Sequence, residues 1–364
     1  MKKARALMKS GYKVHGMGNK IAYGIEDYKT YSVWKNEKQF KEEIRTLISI
    51  GCSIIEYNNE PDMPAVWIRE VINEMGVQDR VKLISDFHDL DSIRRLENII
   101  PKPERLMINA SDGMIYVSLP IQEMTNELHS ITKPNICLYS YCNNDIVDVD
   151  WNKERKNAMV YEGGVNAIEN KDQNRIYPYR NLFPVFKQLI TQGNEVHAYV
   201  GNSDAFLSGQ STGVVLHQPT EYGKLMKELT KYKWGLLIFN NEKDTEPQVR
   251  LTLTNKAQEY LQAGIPSLAC WCTESEKWVE KHKIGLVFNN ITDIGNCSSL
   301  EEKYEELKNN IKIKKEELVM ENYIWKLENL YAEVLGVDKK GIPDNIKTMN
   351  TFEYGEDDTN KILN

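Results

Sequence analysis

Hydrophobic positions along the chain fall into short apolar runs separated by stretches in which apolar residues recur every third or fourth position. This alternation predicts parallel βα units, in which a buried strand feeds an amphipathic helix that returns across the sheet. Residues 4–10 predict a helix and 12–17 a strand. Residues 40–50 predict a helix stopped by Gly51, a residue suited to the left-handed turn at a helix end. Strands follow at 53–57, 81–85, 113–118 and 135–139. The helices between them lie at 62–74, 103–110 and 120–129.

Residues 143–156 are rich in Asn, Asp and charge and read as a linker. The pattern then restarts with strands at 158–161, 195–200, 213–217, 234–239, 266–270 and 285–288. Helices are predicted at 179–192, stopped by Gly193, then at 222–231, at 254–263, stopped by Gly264, and at 275–282. Two long helices follow, near 299–315 and 318–335, and the segment from Asp338 reads as a polar tail.

The fold class is therefore α/β, with two Rossmann-like domains facing a cleft. The expected boundaries are 1–150, 151–317, a helix at 318–337 that packs back on the first domain, and a tail at 338–364. One irregularity stands at the start. A Rossmann-like half ordinarily opens with a strand, a Gly-rich turn and a helix. Here the pattern opens at the helix, so the first strand is either absent or upstream of this sequence.

Length agrees with this division, since 364 residues exceed one ordinary core and suit two. The formal net charge of −7, with no long Lys/Arg run, argues against a nucleic-acid partner. No apolar run reaches the roughly 18 residues needed to span a bilayer, and the basic first residues lack the apolar segment of a signal peptide. Peripheral contact with a membrane remains open. The six cysteines are scattered, and Cys270 and Cys272 have no second pair or His cluster at metal spacing. Reduced thiols, no metal site and a cytoplasmic location are the expectations.

In open α/β sheets ligands bind beyond the carboxyl ends of the strands, so chemistry is sought after each one. Glu60 follows the second predicted strand, at 53–57; it is a cleft candidate, while Pro61 and Asp62 also suit a plain helix entry. His88 lies between Asp86 and Asp89 after the next strand, placed for acid/base or substrate contact. The alternative is that Asp89 or Asp91 caps the following helix and His88 merely packs. Gly163 and Gly164 let backbone N–H groups approach a diphosphate, although Gly pairs also mark ordinary turns. Arg180, at the start of the predicted 179–192 helix, could add charge to such a site, with Arg175 nearby. On the 254–263 helix, Thr254 suits the N-cap. Asn255 and Glu259 share a face, where the carboxylate could hold a ribose diol. Lys256 and Glu259 could equally be solvated charges.

The run Asn255-Lys256-x-x-Glu259-Tyr260-Leu261-x-Ala263-Gly264-Ile265-Pro266 resembles the donor-site signature of GT-B glycosyltransferases, in particular the retaining family-four group. In that signature a Glu five residues before the Gly holds the nucleotide ribose. Ile284–Val287, Asp86-x-His88-Asp89, Ala110–Ser118 and the 4–14 segment resemble further stretches of the family in the same order. The resemblance implies transfer of a sugar from a nucleotide-sugar to an acceptor hydroxyl, with retention and without metal or cofactor. It implies catalytic or substrate-contacting roles for His88 and Asp89, and donor binding by Gly163, Gly164, Arg180, Asn255, Lys256 and Glu259. The chain departs from the family at Leu251, where many members carry a second Glu, and at the missing first strand and its turn. Those departures support a rival reading, a catalytically inactive relative that binds or assembles. A GT-B sugar-nucleotide epimerase is a third reading; it requires further carboxylates around the sugar.

Overall fold

The computed structural model describes residues 2–20, 28–94, 101–201, 203–243, 246–341 and 343. The strands are β1 (His15–Gly18), β2 (Thr30–Val33), β3 (Ile54–Asn58), β4 (Lys82–Phe87), β5 (Gly113–Tyr116), β6 (Asn135–Cys137), β7 (Lys156–Gly163), β8 (Val196–Val200), β9 (Val215–His217), β10 (Tyr232–Ile238), β11 (Ser267–Cys270) and β12 (Gly285–Val287). All pairings between them are parallel.

Strands β7 to β12 form one six-stranded sheet in the order β9-β8-β7-β10-β11-β12. This is the doubly wound order of a Rossmann-like half, with the chain reversing direction of travel between β7 and β10. Alternate residues of β7 and β10 point to opposite faces, and both faces are covered. Met159, Tyr161, Trp234 and Leu236 enter one cluster; Ala158, Val160 and Leu237 enter another. The first half has a pair, β1-β2, and a quartet, β3-β4-β5-β6. In the same doubly wound order a first strand would lie between them. Among the described residues none does, and the helix Lys2–Lys9 comes first, as the sequence pattern implied.

Three apolar clusters hold the molecule. One lies under Phe40, Ile44, Ile68 and Leu83 in the first half. One lies around Phe186, Leu189, Trp234 and Leu268 in the second. The third is shared: Ile84, Ile115 and Leu138 of the first half join Tyr260, Leu261 and Trp278 of the second. The last helix, Met320–Leu335, contributes Tyr323, Leu327 and Leu330 to it. That helix sits against the first half. Tyr331 donates to Glu56 Oε2 at 3.1 Å, Lys9 pairs with Glu321 at 2.7 Å, and Tyr141 stacks on Tyr323 at 4.2 Å.

Several sequence expectations change in detail. The first strand, expected at 12–17, lies at 15–18, and the sequence pattern gives no sign of β2. The segment read as a linker is packed: Asn143, Val147 and Val149 are buried, and Arg155 donates from Nη1 to the Gly264 carbonyl at 2.5 Å. The helix placed at 179–192 begins at Phe183, with Arg180 in a preceding turn of 3₁₀ helix. A short helix, Pro247–Leu251, which the sequence pattern does not predict, follows β10. The tail call falls almost wholly outside the described residues.

Candidate functional site

The order reversal between β7 and β10 leaves a crevice at their carboxyl ends, where neighbouring connections part to opposite faces of the sheet. A cavity of about 380 Å³ lies there, within the usual size range of small-ligand pockets. Its second-half wall is Tyr161 to Gly164, Tyr179, Arg180, Phe239 and residues 248–249 and 252–256, with Glu259. Its first-half wall is His88, Asp89, Val117 and Ser140, from the ends of β4, β5 and β6. His88, Asp89, Gly163, Gly164, Arg180, Asn255, Lys256 and Glu259 thus converge on one space, although nearly half the chain separates the first from the last.

Each wall follows from local sequence. Gly163 ends β7 with φ of +127°, a backbone state that a side chain strains. A Cβ there would lie 3.5 Å from Lys256 Nζ, an ordinary contact, so it is the backbone state and not the space that calls for glycine. Lys256 sits over the rings of Phe239 and Tyr161, at 4.6 and 5.1 Å from their centroids. Burial works against its charge, but Tyr161, Glu162 and Glu259 around it raise its pKa, so it is a cation in the cavity wall. Arg180 lies over Tyr177 and Tyr179 and beside Gly164. Arg175 is exposed on the helix Lys171–Ile176 and does not line the cavity.

The helix Asn255–Gln262 directs its N-terminus into the cavity. Thr254 holds the N-cap place with extended backbone, φ −75° and ψ 151°, but makes no side-chain cap bond, contrary to expectation. Its Oγ1 is buried without a partner, so the first N–H groups of that helix are not closed off by it.

Glu259 is buried on the same helix, with Lys2 Nζ 3.5 Å from its Oε1. Beside it stands Glu162, the last β7 residue before the glycines, also buried. Burial and the adjacent Glu259 carboxyl push the Glu162 pKa well above the carboxylate range, so the wall favours the protonated form of Glu162. Glu162 Oε1 has no hydrogen-bond partner, and neither has Gln248 Oε1. Three residues of the cavity lining, Glu162, Gln248 and Thr254, thus each carry a buried oxygen without a partner.

On the first-half side, His88 Nε2 is 3.0 Å from Asp86 Oδ2, and its backbone N–H donates to Asn59 Oδ1 at 3.0 Å. Lys3, from the first helix, pairs with both Asp86 and Glu56. Burial alone would raise the Asp86 pKa; Lys3 and His88 outweigh it and hold the carboxyl below the usual range. For His88, burial lowers the pKa, but Asp86 more than offsets this and raises it. Asp89 pairs with Arg94 at 2.5 Å and accepts from Gln248 Nε2, a tie across the cleft. Asp91 opens the short helix Asp91–Arg94. Glu60 does not line the cavity: it pairs with the other arm of Arg94, one side chain behind Asp89. Leu251 is also outside it, packed against the first-half core, while its carbonyl accepts from Ser118 Oγ at 2.6 Å.

Four site residues were not singled out from sequence: Lys2, Tyr161, Glu162 and Gln248. Lys2 looked like a surface cation at a chain end. Glu162 carried a usable signal, an acid at a strand end directly before a Gly pair.

All six cysteines are free thiols, and among the described residues no group of His, Cys, Asp and Glu is placed to hold a metal. Among them, too, no helix is long and apolar enough to cross a membrane.

Residues 183–328 match the family model of the glucosyltransferase 3-like C-terminal domain. No curated protein matches the chain by sequence. Among solved structures, the chain is similar to sucrose-phosphate synthase of Thermosynechococcus elongatus, with TM-score 0.62 and 12% identity over 92% of both chains. It is similar to a UDP-N-acetylglucosamine 2-epimerase, with TM-score 0.53 and 12% identity over 94% of both chains. It is also similar to Anabaena HepE in complex with UDP, with TM-score 0.55 and 12% identity over 82% of this chain and 85% of that one. The fold is that of the GT-B glycosyltransferases, two Rossmann-like halves across a cleft.

Proposed function

We propose that the protein is a glycosyltransferase that moves a sugar from a nucleotide-sugar to an acceptor hydroxyl. One observation carries the reading: the residues marked for donor binding and for catalysis line a single cavity at the switch point of the second sheet. The glucosyltransferase 3-like match over 183–328 supports transfer over epimerisation, because it includes Phe239, residues 252–256 and Glu259 of the donor wall.

In this reading Glu259 accepts the ribose hydroxyls. The diphosphate lies along Gly163 and Gly164, facing Lys256, Arg180 and the open N-terminus of the helix Asn255–Gln262. These groups are fixed before the ligand arrives and meet the charge that grows on the diphosphate as the C1–O bond breaks. The bond's electron pair leaves with the nucleoside diphosphate, the acceptor oxygen joins C1, and its proton passes to the leaving phosphate oxygen. That path retains configuration, and the protein's own cations supply the charge that a metal would otherwise offer. His88, held by Asp86, faces the sugar from the opposite wall, with Asp89 behind it. Work in the cytoplasm suits six free thiols.

An inactive binding subunit is the second reading, favoured by Leu251 lying outside the cavity. UDP, GDP, ADP and CDP sugars, tested by thermal shift, identify the donor, because a ligand bound only by the folded state raises its stability. Release of free nucleoside diphosphate, with water or a hydroxyl acceptor, then separates the readings. Binding without release under any acceptor supports the inactive relative. No shift with any of the four overturns the nucleotide site.

A further inference from the structure

Glu162 has no assigned task in donor binding, yet its surroundings are unusual. It is 7% exposed, it lines the cavity, and its Oε1 has no partner. Its backbone is pinned, since its N–H donates to the Tyr260 hydroxyl at 3.3 Å and Gly163 fixes the chain direction after it. A buried carbonyl-type oxygen left unpaired costs about 1–3 kcal/mol, so such atoms persist where a ligand completes them. The neighbouring Glu259 carboxyl is equally buried. Two carboxylates side by side in a low-dielectric wall repel, and one proton between them turns repulsion into a hydrogen bond.

We propose that Glu162 is a specificity-determining residue: it shares one proton with Glu259, and its free Oε1 accepts a hydrogen bond from a hydroxyl of the bound nucleotide's ribose. This rests on the nucleotide reading of the cavity. The pair then offers acceptors to both members of a vicinal diol, while the shared proton fixes the relative orientation of the two carboxyls. A deoxyribose would leave one acceptor buried and empty, so discrimination follows from the wall itself. Binding also becomes proton-linked, since loss of the shared proton leaves two carboxylates where the diol must dock. The other ionisable groups facing Glu162 are Lys2, Tyr161, Lys256 and Tyr260, with Tyr222 and Cys142 adjoining Lys2 and Glu259. Lys2, Lys256, the three tyrosines and the cysteine all have raised pKa values, so they hold their protons through the neutral range.

The test is calorimetric binding of UDP, GDP, ADP and CDP, each beside its 2′-deoxy analogue, to wild type, Glu162→Gln and Glu162→Ala between pH 6 and 9. Glutamine copies the neutral acid and cannot lose a proton. The expected result is a wild-type preference for the ribo form of at least about tenfold, with Glu162→Gln within about threefold of wild type at pH 7. Glu162→Ala weakens binding about tenfold or more and shrinks the ribo preference. Wild-type affinity falls relative to Glu162→Gln as pH rises, and this ratio cancels the titration of the ligand's own phosphate. Melting temperature confirms that each variant is folded. A folded Glu162→Gln as weak as Glu162→Ala overturns the proposal, and so do parallel pH profiles for wild type and Glu162→Gln. If wild type binds none of the diphosphates, the nucleotide reading itself fails, and this inference with it.

Discussion

Replacing His88 by alanine separates an acid/base or substrate-contacting role from a structural one, because the structure gives opposite expectations for rate and stability. The His88 side chain is 43% exposed and makes one side-chain hydrogen bond, to Asp86 at 3.0 Å. Removing it does not strand Asp86, which keeps its ion pair with Lys3. The stability cost should therefore stay within about 0.5–1 kcal/mol, typical of a site with no cavity and no orphaned charge. In a protein of this size that is a shift of melting temperature of about 2–4 °C at most. Turnover should fall about 100-fold or more, the scale of a positioned acid/base or polar group, equivalent to about 2.7 kcal/mol of barrier. The two readouts are the melting curve and the initial rate of nucleoside diphosphate release with the donor found by thermal shift. The pH dependence adds a third. Asp86 raises the His88 pKa above the ordinary value of about 6.5, so the folded state favours the imidazolium. That stabilisation is fully present below the unfolded pKa and is lost as pH rises through the folded one. Relative to wild type, His88→Ala should thus lose more stability at pH 5.5 than at pH 8.5. A variant that keeps its rate while melting many degrees lower would refute the assignment and make His88 a packing residue.

Three further outcomes are expected. Glu259→Ala should weaken nucleoside diphosphate binding by about 1.5–3 kcal/mol, the loss of hydrogen bonds to a charged group, and unchanged affinity by calorimetry would reject its ribose role. Lys256→Ala should cost a diphosphate about tenfold or more in affinity while leaving the matching nucleoside nearly untouched; equal losses for both would show that the ammonium does not meet phosphate. Ending the chain before Val319 should raise hydrogen exchange throughout residues 40–120, because the final helix is seated on that half; protection unchanged in 40–120 would contradict that coupling.

Much of the second half could be read from the chain because its signals are local. Gly193 and Gly264 stop helices where expected, both with positive φ, and strands β8, β10 and β11 are runs buried on both faces. Elements without such signals were missed. Strand β2, Thr-Tyr-Ser-Val, is polar and exposed at both ends, and the helix Lys171–Ile176 buries no residue at all, so neither has a periodicity to detect. The site divides the same way. His88, Gly163 and Glu259 were legible because strand ends and helix faces place them. Lys2, Glu162 and Gln248 gain their meaning from tertiary partners: Lys2 meets Glu259 across 257 positions of sequence, and Gln248 reaches Asp89 across 159. The unmade Thr254 cap was not foreseeable, since the residue type is right and only the absence of a side-chain bond distinguishes it.

The short helix Pro247–Leu251 belongs to the second half by sequence but is fastened to the first. Gln248 holds Asp89, Ser118 holds the Leu251 carbonyl, and the partly buried Leu251 side chain packs against the first-half core. Gln248 and Val249 also line the cavity, so this tie between the halves is made at the cavity wall. Swinging the halves apart about residues 143–155 would have to expose more of Leu251 and break both bonds, whereas unwinding this one turn would break them with the two sheets in place. Opening of this turn should then precede separation of the halves, and the amides of 248–253 should lose protection before any strand of either sheet.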